Sequence, residues 1–189
     1  MIEIYPADNK RIGDLDTLFA LDESADRCWC MWFIVGYKDF HALGRDGNRA
    51  MFVSYTLDDP DPMGIIAYRN NAPVGWCAIG PRSRYTRAIR TPTMKHAIGD
   101  DEATWFVPCF FVHPDHRNAG IAAALLTAAV DVATAAGAVA VQGFPLAGTA
   151  RRTSGADLMT GNEALFAAAG FEVESRPTGN RTIMRRNLK

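Results

Sequence analysis

The 189-residue sequence lacks the features of a membrane, secreted or nucleic-acid-binding chain. No apolar run approaches the roughly 20 residues needed to cross a bilayer, and the alanine-rich stretch after Gly120 is broken by Thr127, Asp131 and Thr134. No membrane association is expected. The opening MIEIYPADNKRIGD has no basic segment, long apolar run or small-residue cleavage site of a secretory signal, so a cytoplasmic protein is expected. A formal net charge of −1 provides no footprint for nucleic acid. The four cysteines, Cys28, Cys30, Cys77 and Cys109, lack paired CxxC spacing, so the sequence predicts free thiols and no metal. Cys77 and Cys109 lie in apolar strand-like runs and read as small hydrophobes. The P-loop pattern GxxxxGK and the three-glycine dinucleotide fingerprint are missing too, which disfavours those nucleotide folds.

What is present suits a globular fold. Apolar residues make up 48% of the chain and charged residues 22%, enough for one core without disulfides or metals. With no repeat, low-complexity tract or linker, residues 1–189 read as one domain. Residues 2–5 alternate like a strand, and Ile12, Leu15, Leu18 and Phe19 recur at helical spacing. A helix over 49–57 follows a break at LGRDGN. GIIAYR and PVGWCAIG form a hairpin about Asn70 and Asn71, which tolerate left-handed backbone. Residues 81–101 carry many basic side chains without periodicity and read as an irregular surface excursion. TWFVPCFFV is a strand whose Pro108 needs an edge, a bulge or a splay. A helix with Ile121, Leu125, Ala128 and Val132 on one face comes next and stops at Gly137. The strand AVAVQGF, a short helix near 162–169 and two final strands complete a mixed α/β pattern.

The chemistry is written in HPDHRNAGIAAALL, where Gly120 and small residues join a buried strand to a helix. Small side chains leave backbone N–H groups uncovered, and the first turn of a helix offers unpaired donors at a positive dipole end, a nest for phosphate or pyrophosphate. The same turn would also serve simply to pack the helix closely on the sheet.

RNAGIA, residues 117–122, resembles the coenzyme loop of the GNAT superfamily of N-acetyltransferases, Arg or Gln, two residues, Gly, any residue, then Gly or Ala. CFFV and HPDH before it, PVGWCAIGP, VAVQGFP and LFAAAGFE are similar to family segments in family order, and CWCMWF resembles a bacterial subgroup. The resemblance implies a mixed, mostly antiparallel central sheet flanked by helices and splayed at the central strand. It implies acetyl-CoA as acyl donor, with pantetheine against Phe110, Phe111 and Val112. The pyrophosphate would meet Arg117, Asn118, Ala119, Gly120, Ile121, Ala122 and Ala123. Pro108, lacking an N–H, suits a splay or an ordinary sheet edge. Arg117 and the basic residues after Arg82 also read as solvated side chains.

The implied activity is direct transfer of an acetyl group to a primary amine of a small molecule or peptide, through a ternary complex. Trp29, Met31 and Trp32 are candidates for the acceptor pocket or for core. Many relatives carry a carboxylate base on or beside the central strand. Here those positions are apolar, which leaves Glu102, just before the strand, as candidate base or as a solvated acid. Where relatives often carry a tyrosine acid, four residues before Gly-Phe, this chain has Phe166, so Tyr85 stands as the substitute. His113 and His116 flank the loop and read as turn-stabilising or exposed. A catalytically weak acyl-CoA-binding sensor or interaction module is the alternative, with a nucleotide-binding domain third. Monomer and homodimer are both open.

Overall fold

A computed structural model of the protein describes residues 1–92, 94, 103–148 and 159–188. The strands are β1 (Glu3–Pro6), β2 (Gly64–Arg69), β3 (Ala72–Pro81), β4 (Thr104–Val112), β5 (Ala140–Gly143), β6 (Glu172–Thr178) and β7 (Arg181–Asn187). They form one seven-stranded sheet in the order β1-β2-β3-β4-β5-β7-β6. Every pairing is antiparallel except β4 with β5. That parallel step follows from the connection, which crosses the sheet through helix α4 (Ile121–Ala135). The fold is the mixed, mostly antiparallel sheet with flanking helices that the sequence predicts.

Local chemistry accounts for the boundaries. Asn70 and Asn71 both take positive φ, 52° and 64°, as a type I′ hairpin turn requires. Gly137, at φ 81°, ends the run that follows α4. Asn162 caps α5 (Glu163–Ala168) by accepting the Leu165 N–H at 2.9 Å.

Two expectations are corrected. The helix placed at 49–57 belongs to α3 (Tyr37–Asp58), and the break before it shrinks to a kink at Gly44, where φ is 60° and ψ −164°. Arg49 meets Asp16 of α1 (Ile12–Phe19) in two 2.6 Å hydrogen bonds, and Arg45 meets Asp26 of α2 (Glu23–Cys28) at 3.0 Å. These pairs tether the far side of the kink. Residues 81–101 do not simply cross the surface: Arg84, Tyr85, Ala88 and Met94 are buried. Arg84 is held inside because its guanidinium donates to Asp59 and to the carbonyls of Asp61, Pro62 and Ile79.

The core divides across the sheet. One cluster joins α1, α2 and α3 to Trp76, Phe106, Cys109 and Phe111, and the other joins α4 and α5 to Trp105, Val107 and Phe110. Odd and even positions on β4 change faces midway. Ala78 pairs with Cys109 but Gly80 with Phe106, so Val107 and Pro108 together oppose Ile79 in a β-bulge. One extra residue reverses the alternation beyond it.

Candidate functional site

β4 and β5 pair from Thr104↔Ala140 to Val107↔Gly143, and there the ladder ends. On its other edge β4 stays paired with β3 as far as Val112↔Gly75. Among the described residues, positions 108–112 therefore present one edge without a strand partner. Pro108 stands at the first of these positions, within the bulge, where a missing N–H costs no ladder bond. Phe110 and Phe111 bury their side chains on opposite faces, so their backbone is what borders the opening.

The end of β4 runs into the predicted anion nest. The His113 N–H donates to the Val74 carbonyl at 3.0 Å, and His113 Nδ1 accepts the Asp115 N–H at 3.1 Å, capping the turn Pro114–His116. Exposed Arg117 donates to the Val112 carbonyl at 3.4 Å. Asn118 and Gly120 then adopt left-handed backbone, φ 61° and 78°, before α4 begins at Ile121. The Ala124 N–H bonds back to the Gly120 carbonyl at 3.0 Å, so the amides of Ile121, Ala122 and Ala123 lie ahead of the first helical bond. A Cβ on Gly120 would meet nothing within 4 Å. With Ala119, Ala122 and Ala123 also small, the helix end is open to an anionic ligand.

On the α1–α3 side of the sheet lies a cavity of about 530 Å³. Trp32 lines it, with Phe33, Phe40, Cys28 and Met159, and Cys109 of β4 contributes from the sheet. Trp29 and Met31 do not line it. Trp29 takes φ 45° at the end of α2, which turns its indole into the core against Phe19 at 5.1 Å and Phe52 at 5.4 Å. Met31 is wholly buried with it. The sequence reading missed Arg27, His41 and Cys109 as cavity residues, because they converge from α2, α3 and β4. For Cys109 the only signal is its place after Pro108.

Tyr85 is buried against Phe106, with ring centroids 5.9 Å apart, and does not line the cavity. Burial raises its phenol well above the ordinary value. Glu102 lies outside the described residues. Cys30, beside the cavity wall, is held below the usual thiol range by the Cys109 thiol and by the Trp76 indole N–H, which donates to its Sγ at 3.2 Å. Phe166 is fully buried at the end of β5, near Phe110 and Phe171.

The model of the acetyltransferase (GNAT) family matches residues 19–144. Solved structures with this fold include PaiA N-acetyltransferase from Thermoplasma acidophilum in complex with coenzyme A, at 13% identity, 100% and 99% coverage of the two chains and TM-score 0.59. YncA from Salmonella typhimurium, with its cofactor acetyl-CoA, matches at 16% identity, 100% and 94% coverage and TM-score 0.59. Ribosomal-protein-alanine N-acetyltransferase from Brucella melitensis matches at 16% identity, 98% and 99% coverage and TM-score 0.58. No curated protein matches the chain in sequence.

Proposed function

The chain belongs to the acetyltransferase (GNAT) family, and from that premise we propose that it transfers an acetyl group from acetyl-coenzyme A directly to a primary amine of a small molecule or peptide. The observation that carries this reading is the junction of two features: the β4 edge left open after Val107↔Gly143, and the nest at Asn118 to Gly120 immediately beyond β4. PaiA and YncA, of the same fold, hold coenzyme A and acetyl-CoA.

The residues present fit the donor. The open backbone of Phe110, Phe111 and Val112 suits the amide-bearing pantetheine arm, which can pair with it as an added strand would. Amides of residues 118–123 suit the pyrophosphate, and Arg117 adds positive charge nearby. Bound acetyl-CoA supplies an activated acetyl thioester and leaves as a thiol. The opening orients that end of the donor between β4 and β5, and the aromatic wall at Trp32 shelters the acceptor from water. Glu102, two positions before Thr104 in the sequence and outside the described residues, is the proposed base for the acceptor ammonium. Tyr85 holds its proton firmly and packs against Phe106, which favours a packing role for it.

Phe166 favours a second reading, an acyl-CoA-binding sensor, because a phenyl ring at this position cannot return a proton to the leaving thiolate. Both readings require the coenzyme.

Calorimetric titration with acetyl-CoA and coenzyme A tests them, comparing Gly120→Asp with Gly137→Asp. The two glycines have nearly equal φ, 78° and 81°, and open space at Cβ, so the strain is matched and only the first variant places a carboxylate in the nest. Binding by the wild type and by Gly137→Asp, lost in Gly120→Asp, is the expected result. Wild-type protein that binds neither ligand would overturn both readings. Binding without turnover across a broad amine panel would leave the sensor.

A further inference from the structure

The cavity beside β4 has a chemical bias beyond its aromatic wall. Among the described residues its lining includes Arg27, His41 and Arg181 and no carboxylate. Arg27 Nη2 lies 3.4 Å from His41 Nδ1. The two side chains are exposed neighbours, and a guanidinium and an imidazole can both donate to one anionic group. Among the described residues no carboxylate pairs with Arg27. Behind the wall, the Arg87 guanidinium stacks 3.5 Å over the Trp32 ring and adds another positive charge.

The other end of the cavity reaches the opening in the sheet. Cys109 follows Pro108 on the unpaired edge of β4. Arg181 donates to the carbonyl of Phe144, the residue after the last β5 pair, and to the Thr160 hydroxyl. A molecule in the cavity would thus have the Arg27–His41 pair at one end and, at the other, the thioester's slot beside Arg181, which is engaged by Phe144 and Thr160.

The Arg27–His41 end of the cavity suits an anionic group. Resting on the acetyl-transfer reading, we propose that the acceptor is a primary amine carrying a carboxylate on an aromatic or long apolar body. Arg27 and His41 hold the carboxylate, Trp32 and Phe40 cover the body, and the amine points toward Cys109. The amine nitrogen gains the acetyl carbon, the carbon–sulfur bond breaks, and the ammonium proton leaves to base or water.

The test compares kcat/KM for matched acceptors with and without a carboxylate at the end remote from the amine, 4-(aminomethyl)benzoate against benzylamine and 6-aminohexanoate against hexylamine, in wild type and Arg27→Gln. Acetyl-CoA binding is measured in both proteins. The wild type should favour the carboxylates by about tenfold or more, chiefly through KM. Arg27→Gln should reduce that preference to under about threefold with acetyl-CoA affinity unchanged. Should none of these amines turn over, binding of 4-(acetamidomethyl)benzoate and N-benzylacetamide to the coenzyme A complex gives the same comparison. Preference for the partners that lack the carboxylate, no preference, or a ratio unaltered by Arg27→Gln would overturn the inference alone. Weaker acetyl-CoA binding in Arg27→Gln would also overturn it, by assigning the arginine to the coenzyme. Wild-type protein that binds no acetyl-CoA would overturn the transfer reading and this inference with it.

Discussion

Gly143 and Phe166 occupy one another's space: a Cβ on Gly143 would lie 2.0 Å from Cε1 of the Phe166 ring. Gly143 is the last β5 residue paired with β4, so the ring rests where the two strands part. The same ring sits 6.0 Å from Phe110 and 5.0 Å from Phe171, edge to face. Gly143→Ala must displace it, and overpacking of this kind costs about 1–3 kcal/mol. A lower urea midpoint is expected, with weakened acetyl-CoA binding, because the displaced ring presses on β4 beside the opening.

Phe166→Tyr adds a hydroxyl to that fully buried ring. An unsatisfied buried hydroxyl costs about 1–3 kcal/mol, so thermal stability should fall. If returning a proton to the thiolate limits turnover, kcat rises by about tenfold or more at unchanged KM for acetyl-CoA. Unchanged kcat would mean that the leaving group departs without this acid.

Arg84 is the buried charge that fastens residues 81–90 to the sheet, with its side chain 2% exposed and 3.0 Å from Asp59. Arg84→Met removes four acceptors' partner at once and leaves the Asp59 carboxylate in partial burial. A loss of about 3 kcal/mol is expected from chemical denaturation. Gly80→Ala should destabilise as well, since its Cβ would lie 2.1 Å from Arg84 Nη1.

Alkaline pH should destabilise the fold through its thiols. Burial, reinforced by neighbouring Cys30, pushes Cys28 up from 9.0 to about 12, and burial raises Cys77 well above 9.0. Below pH 9.0 folded and unfolded chains both keep these protons, and stability is complete. Between there and about 12 only the unfolded chain releases the Cys28 proton, so stability declines. Urea midpoints measured from about pH 7 to about pH 10.5 should fall over the upper part of that range, and less steeply in Cys28→Ser.

The Asn70–Asn71 turn offers a gain. Both residues hold positive φ, and at 64° Asn71 occupies the second central position, where glycine carries no Cβ penalty. Asn71→Gly should raise stability by a few tenths of a kcal/mol to about 1 kcal/mol. Differential scanning calorimetry reads this as a higher Tm with unchanged acetyl-CoA affinity.

Elements governed by near neighbours were legible in the chain. The Asn70–Asn71 hairpin, the strand TWFVPCFFV and the helix after Gly120 follow from turn chemistry and hydrophobic period, and each occurs where it is expected. The nest residues are consecutive, so their left-handed glycine and small side chains could be read directly. The wall of the cavity beside β4 could not. Trp29, Met31 and Trp32 are neighbours in sequence, yet only Trp32 reaches the cavity, because positive φ at Trp29 and Cys30 reverses the chain between them. Arg84 looked like one more surface arginine because its partner Asp59 lies 25 positions earlier.

The sequence by itself carried the family resemblance, the hairpin, and the strand, left-handed small-residue turn and helix around Gly120, since these rest on patterns within a few residues of one another. Only the tertiary structure decided which way the aromatics of β4 face and at which pair, Val107↔Gly143, the ladder with β5 ends. Strict alternation would put Phe106 and Phe110 on one face, but the bulge at Val107 and Pro108 sends Phe110 toward α4 and turns Cys109 into the cavity. Bulge and opening both arise from how β4 pairs with β3 and β5, strands distant in the chain, and no local pattern encodes that register.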